Sequence, residues 1–571
     1  MRFRHVLSAT ALLTGVVVVT TAPTAHAATA ASSSGSSGTY VVLADSPATM
    51  AAAEAAARAA GGTVTGRNQA IGTLTVTATG TGFAPTVRSA SGVAGVAADR
   101  SIGTSPKRDQ IEADTGAAND GSGAAATDAS SADSRDRSDE ADAGDPLSGL
   151  QWDMRLIGAS PNGSYAEERG DRGVTVGIID TGIDGKHADL RRNFSYKLSR
   201  NFVTDIPAID GPCEHPSCVD PVDEDDGGHG THVAGTVAAA INGRGISGVA
   251  PNVTLVNIRA GQDSGFFFLD STLNALTYAG DAGINVVNMS FFTDPWLFNC
   301  AANPADSPEE QAQQRTIIEA TQRALDYAHR KGVVLVAALG NESTDLGHPG
   351  LDRTSPDFPP GTERVRTVDN TCLVIPQEGR HVIGVSATGP STRLSFYSNY
   401  GIEQTDVSAP GGDSRDKATG LANPANRVLS TISLAGAIEF GFVDANGEVI
   451  RTGPFANRAF KECENGVCSY YAYLQGTSMA SPHAAGVAAL IVSRFGHEGR
   501  HGRMVMDPDK VEQILYRTAT KTACPAVNPA VYPDTPGFTP LCEVAAEANG
   551  FYGHGIVNAL NAVSHDEDGR D

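Results

Sequence analysis

Runs that are apolar at every position, not at every second one, dominate the chain beyond residue 170: Thr175–Ile179, 254–258, Val286–Met289, 333–337 and 382–385. A strand with one wet face alternates, so runs like these imply strands covered on both faces, as in a parallel sheet. Between them, apolar positions recur at helical spacing over 231–240, 271–282, 315–330 and 479–493. The alternation predicts one α/β domain over 150–563, a central parallel sheet with helices on both sides. A smaller pattern precedes it over 40–103: strand 40–43, an alanine-rich helix 48–60, strand 72–79, helix 84–91 and strand 93–97. Its order, strand, helix, strand, strand, helix, strand, implies a ferredoxin-like α+β unit.

Other segments carry processing information. Arg2 and Arg4 precede an apolar stretch over 6–19 and the small-residue site Ala25-His26-Ala27. This reads as an export signal over 1–27, too short for a membrane span. Residues 104–149 are rich in Asp, Ala, Ser and Gly, cannot bury enough apolar surface to offset their ordering entropy, and read as a disordered acidic linker open to maturation cleavage. Residues 564–571 form a polar tail. The expected product is secreted, extracellular and monomeric, with no membrane contact after signal removal. A formal net charge of -23 without a basic cluster excludes nucleic acid as a partner. All eight cysteines fall within 150–563, and in an oxidising compartment they predict disulfides. Close spacing favours Cys213 with Cys218, Cys463 with Cys468 and Cys524 with Cys542, leaving Cys300 with Cys372, among the many pairings eight cysteines allow.

Three motifs carry chemistry. Ser478, in Gly476-Thr-Ser478-Met-Ala-Ser-Pro482, stands at the start of a helix, beside amides that lack intrahelical partners. Asp180 ends the apolar run beginning at Val174, where functional groups collect at strand carboxyl ends. His229, in Gly227-Gly-His229-Gly-Thr-His232, is exposed by glycines just before a helix. The His229/His232 pair lacks the third ligand and the His-Glu-x-x-His glutamate of a catalytic zinc site. The order Asp180, His229, Ser478 is one in which the serine triad occurs.

On these motifs the chain resembles the subtilisin-like serine proteases over most of 151–563. A fourth stretch, Val333-Val-Leu-Val-Ala-Ala-Leu-Gly-Asn341-Glu, looks like the family's strand bearing the oxyanion-hole asparagine, Asn341. Tyr552-Gly-His-Gly-Ile-Val-Asn558 resembles its closing motif. The resemblance implies a secreted, self-processing serine endopeptidase acting on proteins or peptides, with no catalytic cofactor, and makes 40–103 its inhibitory propeptide and partner. His229 would be the base, oriented by Asp180. Activity on a peptide ester is therefore expected to rise as pH passes through about 6 to 7.5, and a flat profile would argue against this role.

In this family an extended substrate adds as a strand between two segments. The matching positions are 260–265, with Gly261 and Gly265, and Ser290-Phe291-Phe292. The family commonly has Gly where Phe292 stands. The ring either crowds the pocket for the residue before the scissile bond or points into a neighbouring hydrophobic layer. Asp189 and Asn242 match a stabilising calcium site. Three loops exceed the compact family pattern, 293–314, 343–380 and 412–473. The last carries a hairpin signal, 438–443 and 449–450 about Asn446-Gly447. These insertions either alter specificity or stabilise the fold away from the substrate.

Overall fold

The computed structural model describes residues 37–100, 145–357 and 361–565. The expected signal segment and most of the linker lie outside them. The small module runs β1 (Ser37–Ala44), α1 (Met50–Ala59), β2 (Thr63–Asn68), β3 (Thr73–Thr79), α2 (Phe83–Arg88) and β4 (Val93–Arg100). Its sheet order is β2-β3-β1-β4, all neighbours antiparallel. Strand β2 was not located by pattern, because Thr63-Val-Thr-Gly-Arg-Asn68 offers a single apolar side chain.

In the large domain β5 (Thr175–Ile179), β6 (Arg200–Asn201), β7 (Thr254–Arg259), β8 (Val286–Met289), β9 (Val334–Ala338), β10 (Val382–Thr388) and β11 (Val407–Pro410) form one sheet. Their order is β11-β10-β9-β8-β5-β7-β6, with every pair parallel. The helices that bear on the site are α3 (His229–Ala238), α4 (Leu269–Ala282), α5 (Pro308–Arg330), α6 (Leu434–Glu439), α7 (Thr477–Phe495) and α8 (Pro508–Thr518).

Two apolar layers account for the all-apolar strands. Val176, Ile178, Val286, Val334 and Val336 pack with Val233 and Val237 of α3 and with the apolar side chains of α7. The residues between them, Ile179, Val287, Met289, Leu335 and Ala337, pack with Leu273 and Leu276 of α4 and with Ile317 and Ala320 of α5. The module divides β1 in the same way. Val42 and Ala44 face its own helices, while Val41 and Leu43 join the α4/α5 layer. Polar contacts fasten that seat: Arg88 forks onto Glu309 at 2.7 and 2.8 Å, and Asp99 Oδ1 accepts the Asp270 N–H at 2.7 Å at the start of α4.

Some boundaries need correcting. Helix α5 begins at Pro308, inside the 293–314 loop, because Ser307 and Glu310 form a capping box about a proline at the first helical position. The hairpin expected over 438–450 forms only over 442–450, where hydrogen bonds from the Asp444 N–H to Glu448 and from the Ile450 N–H to Phe442 flank the bridge between Val443 and Val449, and Ile438 lies in α6. Besides α6, the 412–473 insertion carries a three-stranded sheet of β12 (Val428–Ile432), β13 (Ala459–Glu464) and β14 (Val467–Leu474). The linker also ends earlier than its composition implies: Asp145 and Leu147 are buried, and Leu147 joins an apolar cluster with Ile246 and Tyr471. The four disulfides pair as spacing favoured. Among the described residues no helix is long and apolar enough to cross a membrane.

Candidate active site

Strands β5 and β8 are neighbours in register, Ile179 opposite Met289. The residues that follow them, Asp180 and Ser290, therefore emerge side by side at the carboxyl edge of the sheet, and Asn341 leaves β9 at the same edge. Asp180 is fully buried. Its Oδ1 lies 2.7 Å from His229 Nδ1 and also accepts the Thr181 N–H at 2.8 Å. A carboxylate on Nδ1 leaves Nε2 as the basic nitrogen of a neutral ring. His229, 15% exposed, stands between that buried acid and the surface.

The spacing of this pair is set by Asp225, which sequence reasoning passed over as one of several acids. Its buried carboxylate accepts the N–H groups of Gly228 and Thr231 and the hydroxyls of Thr181 and Thr231. It satisfies free amides at the start of α3 and ties that start to the turn after β5. Gly228 has φ 76°, and a Cβ there would sit 2.6 Å from Gly436 Cα of α6. From the same insertion, Ser430 and Thr431 of β12 donate their hydroxyls to the carbonyls of His232 and Thr231, each at 2.7 Å. The 412–473 insertion thus braces the helix that presents His229. His232 turns inward, with Nε2 3.0 Å from the Ala472 carbonyl.

Ser478 is the second residue of α7 and 5% exposed. Pro482 has no N–H for the Ser478 carbonyl four residues earlier. Ser290 Oγ supplies the missing donor at 3.1 Å, and Ser478 Oγ in turn reaches the Ser290 carbonyl at 3.4 Å. The proline therefore frees a carbonyl through which β8 fixes the serine. Asn341 Oδ1 accepts both the N–H and the hydroxyl of Thr477, at 2.9 and 3.0 Å. That orientation leaves Nδ2 as the donor end of the amide, one residue from Ser478.

The substrate segments differ from expectation on one side. Along 260–265 the N–H groups of Ala260 and Gly261 donate to the Asp180 carbonyl, that of Gln262 to Phe266, that of Ser264 to Asp210, and that of Gly265 to Gln262. The segment is a closed turn, with Gly265 at φ 85°, and not an open strand edge. Beyond it, the Asp294 N–H donates to the Phe267 carbonyl at 2.9 Å, the Phe267 N–H donates to the Asp294 carboxylate at 2.5 Å, and Phe267 stacks on Phe291 with centroids 4.0 Å apart. Phe292 packs against the apolar cluster that holds Leu297, Leu339 and Leu346, which favours the hydrophobic-layer alternative for its ring. That layer belongs to the joined 293–314 and 343–380 loops. Cys300–Cys372 links them, and buried Arg366 pairs with Asp306 and Asp352 at 2.8 and 2.5 Å.

At the other end of α3 the expected calcium ligands meet: Asn242 Nδ2 donates to Asp189 Oδ1 at 3.0 Å. Asp145 joins them, its Oδ1 accepting the Asn242 N–H at 3.1 Å and its Oδ2 the Ser247 hydroxyl at 2.8 Å. Burial pushes the Asp189 carboxyl up to about 7. Two buried carboxylates with an amide and a hydroxyl are an all-oxygen donor set suited to a hard divalent cation, so the residues fit calcium. Asp145 was hidden by the composition of the linker. Leu147, the last large apolar residue of the linker, was the available signal.

Relatives share this architecture. The thermophilic serine proteinase of Bacillus sp. (strain AK1) is 30% identical over 62% of this chain and 58% of its own length. The nisin leader peptide-processing serine protease NisP of Lactococcus lactis subsp. lactis is 28% identical over 64% of this chain and 46% of its own. The crystal structure of the epidermin leader peptide processing serine protease EpiP from Staphylococcus aureus superposes with a TM-score of 0.59 at 22% identity, covering 94% of this chain and 99% of that one. The Peptidase_S8 model, described as the subtilase family, matches residues 171–531. With more than half of its length matched by that model, the chain belongs to the subtilase family of serine proteases.

Proposed function

We propose that the protein is an exported serine endopeptidase that cleaves peptide bonds through an acyl-enzyme and is made as a self-processing zymogen. The observation that carries this is the 2.7 Å Asp180–His229 pair at the strand edge where Ser290 grips Ser478. In this reading His229 Nε2 takes the Ser478 proton as Oγ attacks the peptide carbonyl. Asn341 Nδ2 and the Ser478 N–H stabilise the oxyanion, more strongly than they bind the ground state. The imidazolium then protonates the leaving amine, and a water hydrolyses the acyl-enzyme. Seating of the 37–100 module on α4 and α5 supports its role as the propeptide. The closed 260–265 turn and the filled space about Phe292 support a selective peptidase over a general one, in keeping with a relative named for leader-peptide processing.

Casein, short peptide amides and peptide esters, assayed with the matured protein, test this reading. Turnover of amides and esters with little casein cleavage is expected. Ester turnover without any amide turnover would refute the peptidase assignment.

Asn341→Ala is expected to lower kcat by about two to three orders of magnitude with a smaller change in KM, because the lost donor acts on charge that develops only in the transition state. Equal losses in casein, amide and ester rates would agree; a pure KM effect would place Asn341 in ground-state binding instead. Calcium is proposed to bind through Asp145, Asp189 and Asn242, supplying positive charge to buried carboxylates. Chelation should lower Tm by several degrees, and Asp189→Asn should remove that sensitivity. A Tm unmoved by chelator would end the calcium assignment.

A further inference from the structure

At the opposite edge of the sheet, two histidines and an aspartate from three elements converge. His329 is in the last turn of α5, His381 immediately precedes β10, and Asp509 is in the first turn of α8. The two imidazoles stack with centroids 3.9 Å apart and planes 12° from parallel. His329 Nε2 lies 2.9 Å from Asp509 Oδ1, and one ligand atom from each of the three residues falls within 4.8 Å of the other two. Asp326 adds a carboxylate oxygen 3.7 Å from His381 Nε2. His381 adopts φ 68°, a left-handed conformation costly for a residue with a Cβ.

We propose that His329, His381 and Asp509 form a binding site for a zinc-class divalent cation that ties α5, β10 and α8 together. Two imidazoles and a carboxylate are the donor set of a borderline cation, whereas calcium and magnesium take oxygen alone. Ligands about 2.0 to 2.2 Å from a tetrahedral zinc lie roughly 3.5 Å from one another. The observed cluster therefore needs a closure of about 1 Å, within reach of the exposed His381 and Asp509 side chains. Burial and the neighbouring His329 lower the basicity of His381, against the carboxylates of Asp326 and Asp509, which raise it. The nearby Arg380 guanidinium is taken up by Asp326 at 2.9 Å. A water would complete the shell on the exposed side.

The site is separate from the catalytic one. His329 and His381 lie before the amino ends of β9 and β10, whereas Asp180, Ser290 and Asn341 follow carboxyl ends of the same parallel sheet. A strand of this length separates the two edges by roughly 20 Å. Metal here would cross-link positions far apart in sequence and oppose unfolding without touching the reaction.

The experiment titrates zinc chloride into untagged, chelator-stripped protein returned to saturating calcium, followed by calorimetry and thermal unfolding. The parent should bind one zinc per chain and gain about 2 °C or more in Tm. His381→Ala should lose both effects, and Asp509→Asn should bind at least tenfold more weakly, with peptidase rates preserved in each. No zinc binding by the parent would overturn the proposal. So would binding that survives both substitutions unchanged, which would place the metal on other residues such as His229.

Discussion

Ser478→Ala is expected to lower kcat by about six orders of magnitude and to abolish labelling by a fluorophosphonate, while the protein stays folded. The chemical side of this is absolute: without Oγ there is no acyl-enzyme, and His229 has no proton to accept. The structural side is mild. Ser478 Oγ makes one long hydrogen bond, 3.4 Å to the Ser290 carbonyl, so its loss should cost no more than about 1 kcal/mol. The stronger tie between the segments, from Ser290 Oγ to the Ser478 carbonyl, uses only the backbone of residue 478 and survives the substitution. On export, the parent should shorten by the mass of its module and linker and the variant should not. If both shorten equally, another protease performs maturation; if the parent takes no label, the acyl-enzyme mechanism is wrong.

Asp180→Asn should reduce kcat by about four orders of magnitude at neutral pH, with an unchanged Tm. An amide can hold the ring in place yet no longer fixes the tautomer or balances the imidazolium. Folding should tolerate the change because the Asp180 backbone carbonyl, which accepts the Ala260 and Gly261 N–H groups, is unaffected. The carboxylate's Oδ2 is buried without a hydrogen-bond partner among the described residues, so an amide nitrogen there displaces no contact. A variant retaining a tenth of parental activity would show that Asp180 orients the histidine without contributing charge.

The Asp180–His229 pair and the parallel sheet were legible in the sequence because both rest on local signals. Val174 to Asp180 announces a doubly covered strand and its functional end within a few residues, and Ser307-Pro-Glu-Glu310 announces a helix start equally well once read as a cap. What escaped depends on hydrogen bonds between distant segments. Asp225 resembles any acid in an acidic loop until Thr181 and Thr231 are seen to converge on it. The 260–265 stretch reads as an open edge because nothing local shows that the Asp180 carbonyl and Asp210 take its amides. Asn446-Gly447 does make a turn, with Gly447 at φ 78°, but the segments on either side pair only over 442–450. Phe440 and Phe442 are drawn instead into packing with each other and with Phe455.

The meeting of Gly228 with Gly436 sets a rule for anyone rebuilding this enzyme. Each glycine is irreplaceable only while the other remains where it is: a Cβ on Gly436 would fall 2.3 Å from Gly228 Cα. Trimming 412–473 to match a compact relative would therefore uncover the main chain just ahead of His229, and grafting the catalytic loops onto another scaffold would leave them without their wall. The insertion and the histidine turn have to be transplanted, or diversified in a library, as a single unit.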